Sequence, residues 1–237
     1  MTAKPPRLTI CVPVYDERGT LRAALERLFS LQLRVSFEVV AVDDGSGDGS
    51  GEILRDAAAS SAGFLRAFFH EENRGKSAAL STAFGEARGS ILAVQDADLE
   101  YDPAEFAHLL LPILRGRADA VFGSRYLPGS EREGGTFVQA VANRALTTLC
   151  NAVTGLRLTD METCQKVFLR RFLGPLPLRA RGFCVEPELC FRLASRGARV
   201  VERPIAYRFR TRAEGKKIGW RDGVAAVVWM ARRASRD

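Results

Sequence analysis

"FEVVAVDDGSGDGS", residues 37–50, is an apolar, β-rich run that stops at Asp43-Asp44 and turns through glycine and serine. Its continuous apolar character is that of a strand buried on both faces. Its second half is turn chemistry, with Asp48 or Ser50 placed to cap a following helix. The same unit recurs. Runs at 8–14, 64–69, 90–96 and 119–124 read as strands, and helical patterns lie at roughly 19–31, 50–61, 75–88 and 103–115. Strand alternating with helix requires crossover connections, so the expected fold is α/β, a mostly parallel sheet with helices on both faces.

Such sheets bind ligands beyond the C-terminal ends of their strands. The residues expected there are Tyr15-Asp16-Glu17, Asp43-Asp44-Gly45, Asp96-Ala97-Asp98 and Gly123-Ser124-Arg125. Two aspartates oppose a phosphate placed against them, so Asp43 and Asp44 suit a ribose hydroxyl or a base N–H. "NRGKSAAL" (73–80) is not a nucleotide-hydrolase phosphate loop, because position 70 is His where that loop needs Gly. Lys76, at a helix start, remains a candidate phosphate contact. In "QDADLEYDP" (95–103), Asp96 and Asp98 fall on one face of a strand, with Glu100 nearby. Hard oxygen ligands of this kind suit Mg²⁺ or Mn²⁺ and leave positions open for a diphosphate. Asp102, before Pro103, reads as a helix N-cap.

Beyond Arg125 the pattern changes to a turn-rich loop (126–135), a helix (136–154), a β-rich patch (164–170), a glycine turn into a helix (182–197) and a strand (198–209). The 237 residues can bury a sizeable core, and two histidines leave the chemistry to carboxylates. Five cysteines without a CxxC pair read as reduced core residues of a cytosolic protein. There is no signal-peptide pattern, and the longest apolar stretch, "GVAAVVWMA" (223–231), is too short to span a bilayer. The net charge of +7 resides in residues 203–237, which hold ten Lys/Arg against three Asp/Glu. No aromatic residues interleave with the basic ones, so nucleic acid is not an expected partner. Val224, Val227, Val228 and Ala231 share a helical face, with Trp229 beside it and Lys216, Lys217, Arg221, Arg232 and Arg233 flanking it. That face lies in a membrane interface, packs on the sheet, or pairs with a second copy as a homodimer.

"VPVYDE" (12–17), "VDDGSGDGS" (42–50), "NRGKSAA" (73–79), "QDADLEYDP" and "GSRY" (123–126) together resemble family 2 glycosyltransferases of the GT-A fold. "LTDMETCQKVF" (158–168), "GFCVEPEL" (182–189) and "EGKKIGWRDG" (214–223) resemble the dolichyl-phosphate mannose synthase-like, polyprenyl-phosphate branch. The resemblance implies one Rossmann-like domain over 1–237: a nucleotide-sugar half (1–125), an acceptor half (126–215) and a basic amphipathic helix (216–237). It implies that Pro13, Tyr15 and Glu17 line the nucleotide pocket and that Asp43 or Asp44 holds base or ribose. Asp96 and Asp98 would bind metal and the donor diphosphate, Glu100 would be a third metal ligand, and Arg125 would touch phosphate. Arg144, Arg210, Arg212 and Lys217 would meet the acceptor. The donor would be a GDP- or UDP-sugar, inverted by in-line displacement, and the acceptor a polyprenyl or dolichyl phosphate at the inner face of the membrane.

Synthases of this group often read "DPVSGF" where this chain has Asp160-Met-Glu-Thr-Cys164, and some carry C-terminal membrane helices. A hydroxyl acceptor therefore stays open; it needs a base, with Asp160 the first candidate and Glu186 and Glu188 behind it. A nucleotidyltransferase is disfavoured, because its glycine-rich basic N-terminal motif is replaced by "VPVYDERGTL" (12–21). A non-catalytic nucleotide- or lipid-binding module is the reading from a different class.

Overall fold

The structure, a computed structural model, describes residues 6–180, 182–210 and 220–234. In chain order the strands are β1 (Leu8–Val14), β2 (Phe37–Asp43), β3 (Leu65–Phe69), β4 (Ile91–Val94), β5 (Ala120–Ser124), β6 (Arg132–Glu133), β7 (Lys166–Leu169), β8 (Val200–Pro204) and β9 (Tyr207–Arg208). The helices are α1 (Leu21–Phe29), α2 (Ser50–Ser60), α3 (Lys76–Glu86), α4 (Phe106–Leu109), α5 (Leu111–Leu114), α6 (Phe137–Thr154), α7 (Val185–Ser195) and α8 (Trp220–Ala234). The helix expected over 103–115 is broken into a 3₁₀ turn and the short α4 and α5. Pro112 has no N–H to continue the ladder there.

Seven strands pair in the order β3-β2-β1-β4-β7-β5-β8. All neighbours are parallel except β7, which runs antiparallel between β4 and β5. The chain winds outward from β1 through β2 to β3, then returns to the other side of β1 as β4. The switch point thus lies between the C-terminal ends of β1 and β4, where open α/β sheets place ligands. Because β7 is reversed, its leading segment, residues 160–165, arrives at this same end. Val94 pairs with Lys166 and Phe122 with Lys166 on the other side.

The strands are buried as their apolar runs require: Ile10, Val12, Val39 to Val42, Leu92 and Val121 are inaccessible to solvent. Phe84 of α3 meets Phe168 of β7 edge to face, with ring centroids 5.7 Å apart. The strand expected over 198–209 divides after Pro204. Ile205 fills the space over Gly123, where an added Cβ would stand 2.7 Å from its side chain. The chain leaves the main sheet there, and β9 pairs with β6.

α8 docks through Ala226 and Met230, both buried, and Trp229 packs on Phe191 at 5.4 Å. The face the sequence singles out points the other way, and Val224, Val227 and Val228 are exposed. Among the described residues no helix is long and apolar enough to cross a membrane. The five cysteines are buried and form no disulfide among the described residues.

Candidate active site

β4 ends at Val94 and delivers the acidic loop to the switch point. Asp96 Oδ2 accepts a bond from Lys76 Nζ at 3.0 Å. Lys76 opens α3 and also lies 3.1 Å from Glu186 Oε1 of α7. Burial works against its charge, but Asp96 and Glu186 outweigh burial and hold the ammonium well above the ordinary lysine range. Two residues on, Asp98 Oδ1 accepts from the Glu100 N–H at 3.1 Å, and Oδ2 lies 3.8 Å from Arg210 Nη2. Burial, then the charges of Asp96 and Glu100, push the Asp98 carboxyl up to about 7. Leu99, in the left-handed region at φ 63°, turns the chain between them.

These residues fit a hard divalent cation. Two half-buried carboxylates stand beside one another, and burial followed by the charges of Asp96 and Glu100 raises Asp98, a state that a cation between them would relieve. Among the described residues no three His, Cys, Asp or Glu side chains converge into a cation cage. Glu100, the third ligand the resemblance implies, is also hydrogen-bonded within the protein. One of its carboxylate oxygens accepts from the Tyr207 hydroxyl at 2.8 Å and the other from the Arg210 N–H at 2.9 Å, while its carbonyl accepts from the Arg208 N–H at 2.9 Å. Glu100 fastens the segment after β8 to the acidic loop. The same segment carries Arg210 to Glu17, which it grips with two bonds of 2.8 and 3.1 Å.

The loops after β1 and β2 are zipped together. Asp16 and Glu17 donate their N–H groups to Ser46 Oγ and Ser50 Oγ, and Arg18 donates its own to Asp48 Oδ2, each at 2.9 Å. Asp16 Oδ1 accepts from the Gly47 N–H at 2.9 Å. Gly49, not Asp48 or Ser50, is the cap of α2, at φ 98°. Asp48 instead accepts from the N–H and hydroxyl of Ser50. Pro13 lies in β1 near its C-terminal end and Tyr15 just beyond it, half exposed.

The aspartates of β2 divide. Asp43 accepts from Ser46 Oγ at 2.5 Å. Asp44 accepts from His70 Nδ1 at 2.6 Å, Gly75 N at 2.6 Å and Arg74 N at 3.2 Å. Asp44 is a loop anchor with its acceptors engaged by protein, and Asp43 is buried beside it. Asp102 caps as expected, accepting from the Ala104 N–H at 2.9 Å.

Arg125, just past β5, meets Asp160 in front of β7. Its Nε and Nη2 donate to the two carboxylate oxygens at 2.6 and 2.8 Å, and its backbone N–H adds a third bond at 3.1 Å. Asp160 is wholly buried, and its N–H donates to Glu202 Oε1 at 3.0 Å. The guanidinium also stands over the Tyr207 ring, 4.9 Å from its centroid. Asp160 is therefore the counter-ion of Arg125 in this structure. Glu188 is spent likewise on the N–H groups of Arg179 and Ala180 and on Arg192.

Arg144 is exposed on the outer side of α6, whereas its neighbour Asn143 turns inward. Arg212 and Lys217 lie outside the described residues. Sequence reasoning passed over Asn143, Glu162, Thr163 and Tyr207. One signal was available: Asn143, Thr147 and Cys150 recur at helical spacing and form the buried face of α6, while Phe137, Val138 and Val141 are left exposed.

The fold and this constellation define a class. Residues 9–175 match the model for glycosyl transferase family 2, and the chain belongs to that family of enzymes. It resembles the polyprenol monophosphomannose synthase of Mycolicibacterium smegmatis, 29% identical over 225 residues, 92% of this chain and 84% of that protein. The dolichol-phosphate mannosyltransferase of Pyrococcus furiosus is 26% identical over 216 residues; these cover 90% of this chain but 60% of that longer protein. Among solved structures, glucosyl-3-phosphoglycerate synthase from Mycobacterium tuberculosis with UDP superposes with a TM-score of 0.73 at 19% identity, covering 97% of this chain and 80% of that one. A mannosyltransferase from Pyrobaculum calidifontis with GDP-Man and Mn²⁺ gives 0.68 at 22% identity, covering 99% and 66%. At these identities the structures establish the shared GT-A architecture.

Proposed function

We propose that this protein transfers a sugar from a nucleoside-diphosphate sugar to the phosphate of a polyprenyl lipid at a membrane surface. The observation that carries the reading is the pairing of Lys76 with Asp96, two residues before Asp98, at the β1/β4 switch point, with Arg125 paired to Asp160 just past β5 at the same end of the sheet. Asp96 and Asp98 would hold Mg²⁺ or Mn²⁺, which neutralises charge on a departing diphosphate when bound. Tyr15, Pro13 and Asp43 would contact the nucleoside, and Arg125, held by Asp160, would present fixed positive charge to phosphate oxygens. Arg210, Arg144 and the basic C-terminal segment would receive an anionic acceptor.

Two features support a lipid phosphate over a hydroxyl. A phosphate oxygen is already anionic near neutral pH and needs no strong base, and Asp160, the first candidate for a base, is committed to Arg125. The exposed Val224, Val227 and Val228 on α8, followed by Arg232 and Arg233, suit the boundary of an anionic bilayer; two of the relatives are a polyprenol monophosphomannose synthase and a dolichol-phosphate mannosyltransferase. The test is transfer from UDP-glucose and GDP-mannose to undecaprenyl phosphate with Mn²⁺, comparing the parent with Asp98→Ala. Glycolipid formed by the parent and lost in the variant is the expected result. Nucleotide binding without transfer or donor hydrolysis in the parent would leave a binding module instead.

A further inference from the structure

The turn that follows α5 reads Arg115-Gly116-Arg117. Gly116, at φ 66° in the left-handed region, ends the helix, and the Arg117 N–H closes the turn on the Pro112 carbonyl at 2.9 Å. Both arginines are exposed. The turn borders β8, the edge strand of the sheet, whose alternation exposes Val201 and Arg203 and leaves Glu202 half-buried. Between turn and strand lies a cavity of about 200 Å³, lined by Pro112, Arg115, Arg117, Val201, Glu202 and Arg203.

Three guanidinium groups therefore border one small space, and among the described residues none of the three has an ion pair. The neighbouring acids are engaged elsewhere. Glu202 accepts from the N–H and hydroxyl of Thr159 at 2.8 and 2.9 Å and from the Asp160 N–H at 3.0 Å. Asp119, two residues beyond Arg117, is held by Arg199 at 2.8 Å and Arg171 at 3.1 Å. Glu105 lies 3.0 Å from His108 and accepts from the Ala206 N–H. A cleft whose charges share one sign and whose remaining walls are apolar, here Pro112 and Val201, concentrates counter-ions.

The chemistry of the lining selects the counter-ion. The cavity is smaller than the roughly 300–1,000 Å³ of pockets that enclose whole ligands, so it suits a head group rather than a nucleotide sugar. Guanidinium forks match phosphate oxygens in pairs, and three positive charges favour a dianion over a single carboxylate. No aromatic side chain lines the cavity for a base to stack on.

We propose that Arg115, Arg117 and Arg203 form a second anion site, apart from Lys76, Asp96 and Arg125, which takes the terminal phosphate or diphosphate of a small molecule or of a lipid head group. The site does not depend on the glycosyl-transfer reading.

Calorimetric titration of inorganic phosphate and inorganic diphosphate into the full chain, with EDTA to keep metal from the donor site, tests it. Diphosphate should bind the parent, and Arg115→Ala, Arg117→Ala and Arg203→Ala should each weaken it about tenfold or more. Lys76→Ala, in the donor site, should change it less than about threefold. So should Arg34→Ala combined with Arg88→Ala, which removes two exposed arginines ahead of β2 and β4. The three cleft arginines are exposed, so their variants should keep the parent's Tm and the comparison reads binding rather than folding. Sedimentation with phosphatidylcholine vesicles containing phosphatidic acid identifies the source. Loss in the cleft variants but not in the Arg34/Arg88 variant assigns a lipid head group; unchanged sedimentation beside weakened diphosphate binding assigns a free phosphate compound. Absence of saturable binding of either anion, with sedimentation unaltered in the cleft variants, refutes the site. Equal weakening in the cleft and Arg34/Arg88 variants also refutes it, because attraction is then only long-range. Loss confined to Lys76→Ala refutes it too, since the anion then occupies the donor site.

Discussion

Asp160→Asn separates a counter-ion from a base. The carboxylate is wholly buried and accepts three bonds from Arg125, whose own side chain is 12% exposed. The amide keeps the shape but removes the charge and turns one oxygen into an N–H donor facing guanidinium donors. Breaking a buried pair by removing one partner costs about 3–5 kcal/mol, because the remaining charge is uncompensated. In a chain of this size each kcal/mol moves Tm by roughly 2–4 °C, so a fall of about 6–20 °C is expected by calorimetry. Arg125→Met combined with Asp160→Leu should recover most of that loss, since no charge is then stranded, while transfer stays abolished for want of Arg125. An unchanged Tm in Asp160→Asn with turnover eliminated would refute the reasoning and restore Asp160 as the base of a hydroxyl acceptor.

Glu100→Gln should leave Mn²⁺ affinity, read by paramagnetic relaxation, within about twofold, because its carboxylate serves Tyr207 and Arg210; a direct metal ligand would lose about tenfold or more. Val224→Ser combined with Val227→Ser and Val228→Ser should reduce sedimentation with anionic vesicles without altering UDP or GDP affinity, since these side chains are exposed; unchanged sedimentation removes α8 from the membrane contact. Gly45→Ala places a Cβ 2.5 Å from the Glu72 backbone at φ 72° and should destabilise by roughly 2 kcal/mol or more in urea unfolding. His108 is raised by its hydrogen bond to Glu105, and Glu105 is lowered despite burial by the same bond. The histidine's contribution is full below its unfolded value and fades as pH rises through the folded one. The glutamate's is present above its unfolded value and fades as pH falls through the folded one. The Tm difference between parent and His108→Gln should therefore be largest between those limits, near pH 5–6, and shrink by pH 8.5; a difference that grows with pH would contradict the pairing.

Much of the donor half was legible because it depends on local pattern. Apolar runs bounded by turns gave β1 to β5 within a residue or two, and the acidic ends of β2 and β4 fell at the sheet end where they were expected. Asp102 was legible as a cap because Pro103 fixes the backbone of the first turn. Local pattern could not tell Asp43 from Asp44, since both follow the same strand. They differ only because residues 70–75 return to wrap Asp44 alone.

Sequence by itself determined that buried strands alternate with helices and that carboxylates gather at one end of the sheet. Periodicity reports how each segment is buried, and that suffices for a parallel α/β architecture. Tertiary structure decided which carboxylates remain available. Inserting β7 antiparallel between β4 and β5 brings Asp160 to Arg125, and the segment after β8 returns to claim Glu100 and Glu17. A hydrogen bond across 35, 110 or 193 residues leaves no mark on the periodicity of either partner, so the division between ligand and counter-ion appears only once the chain has closed.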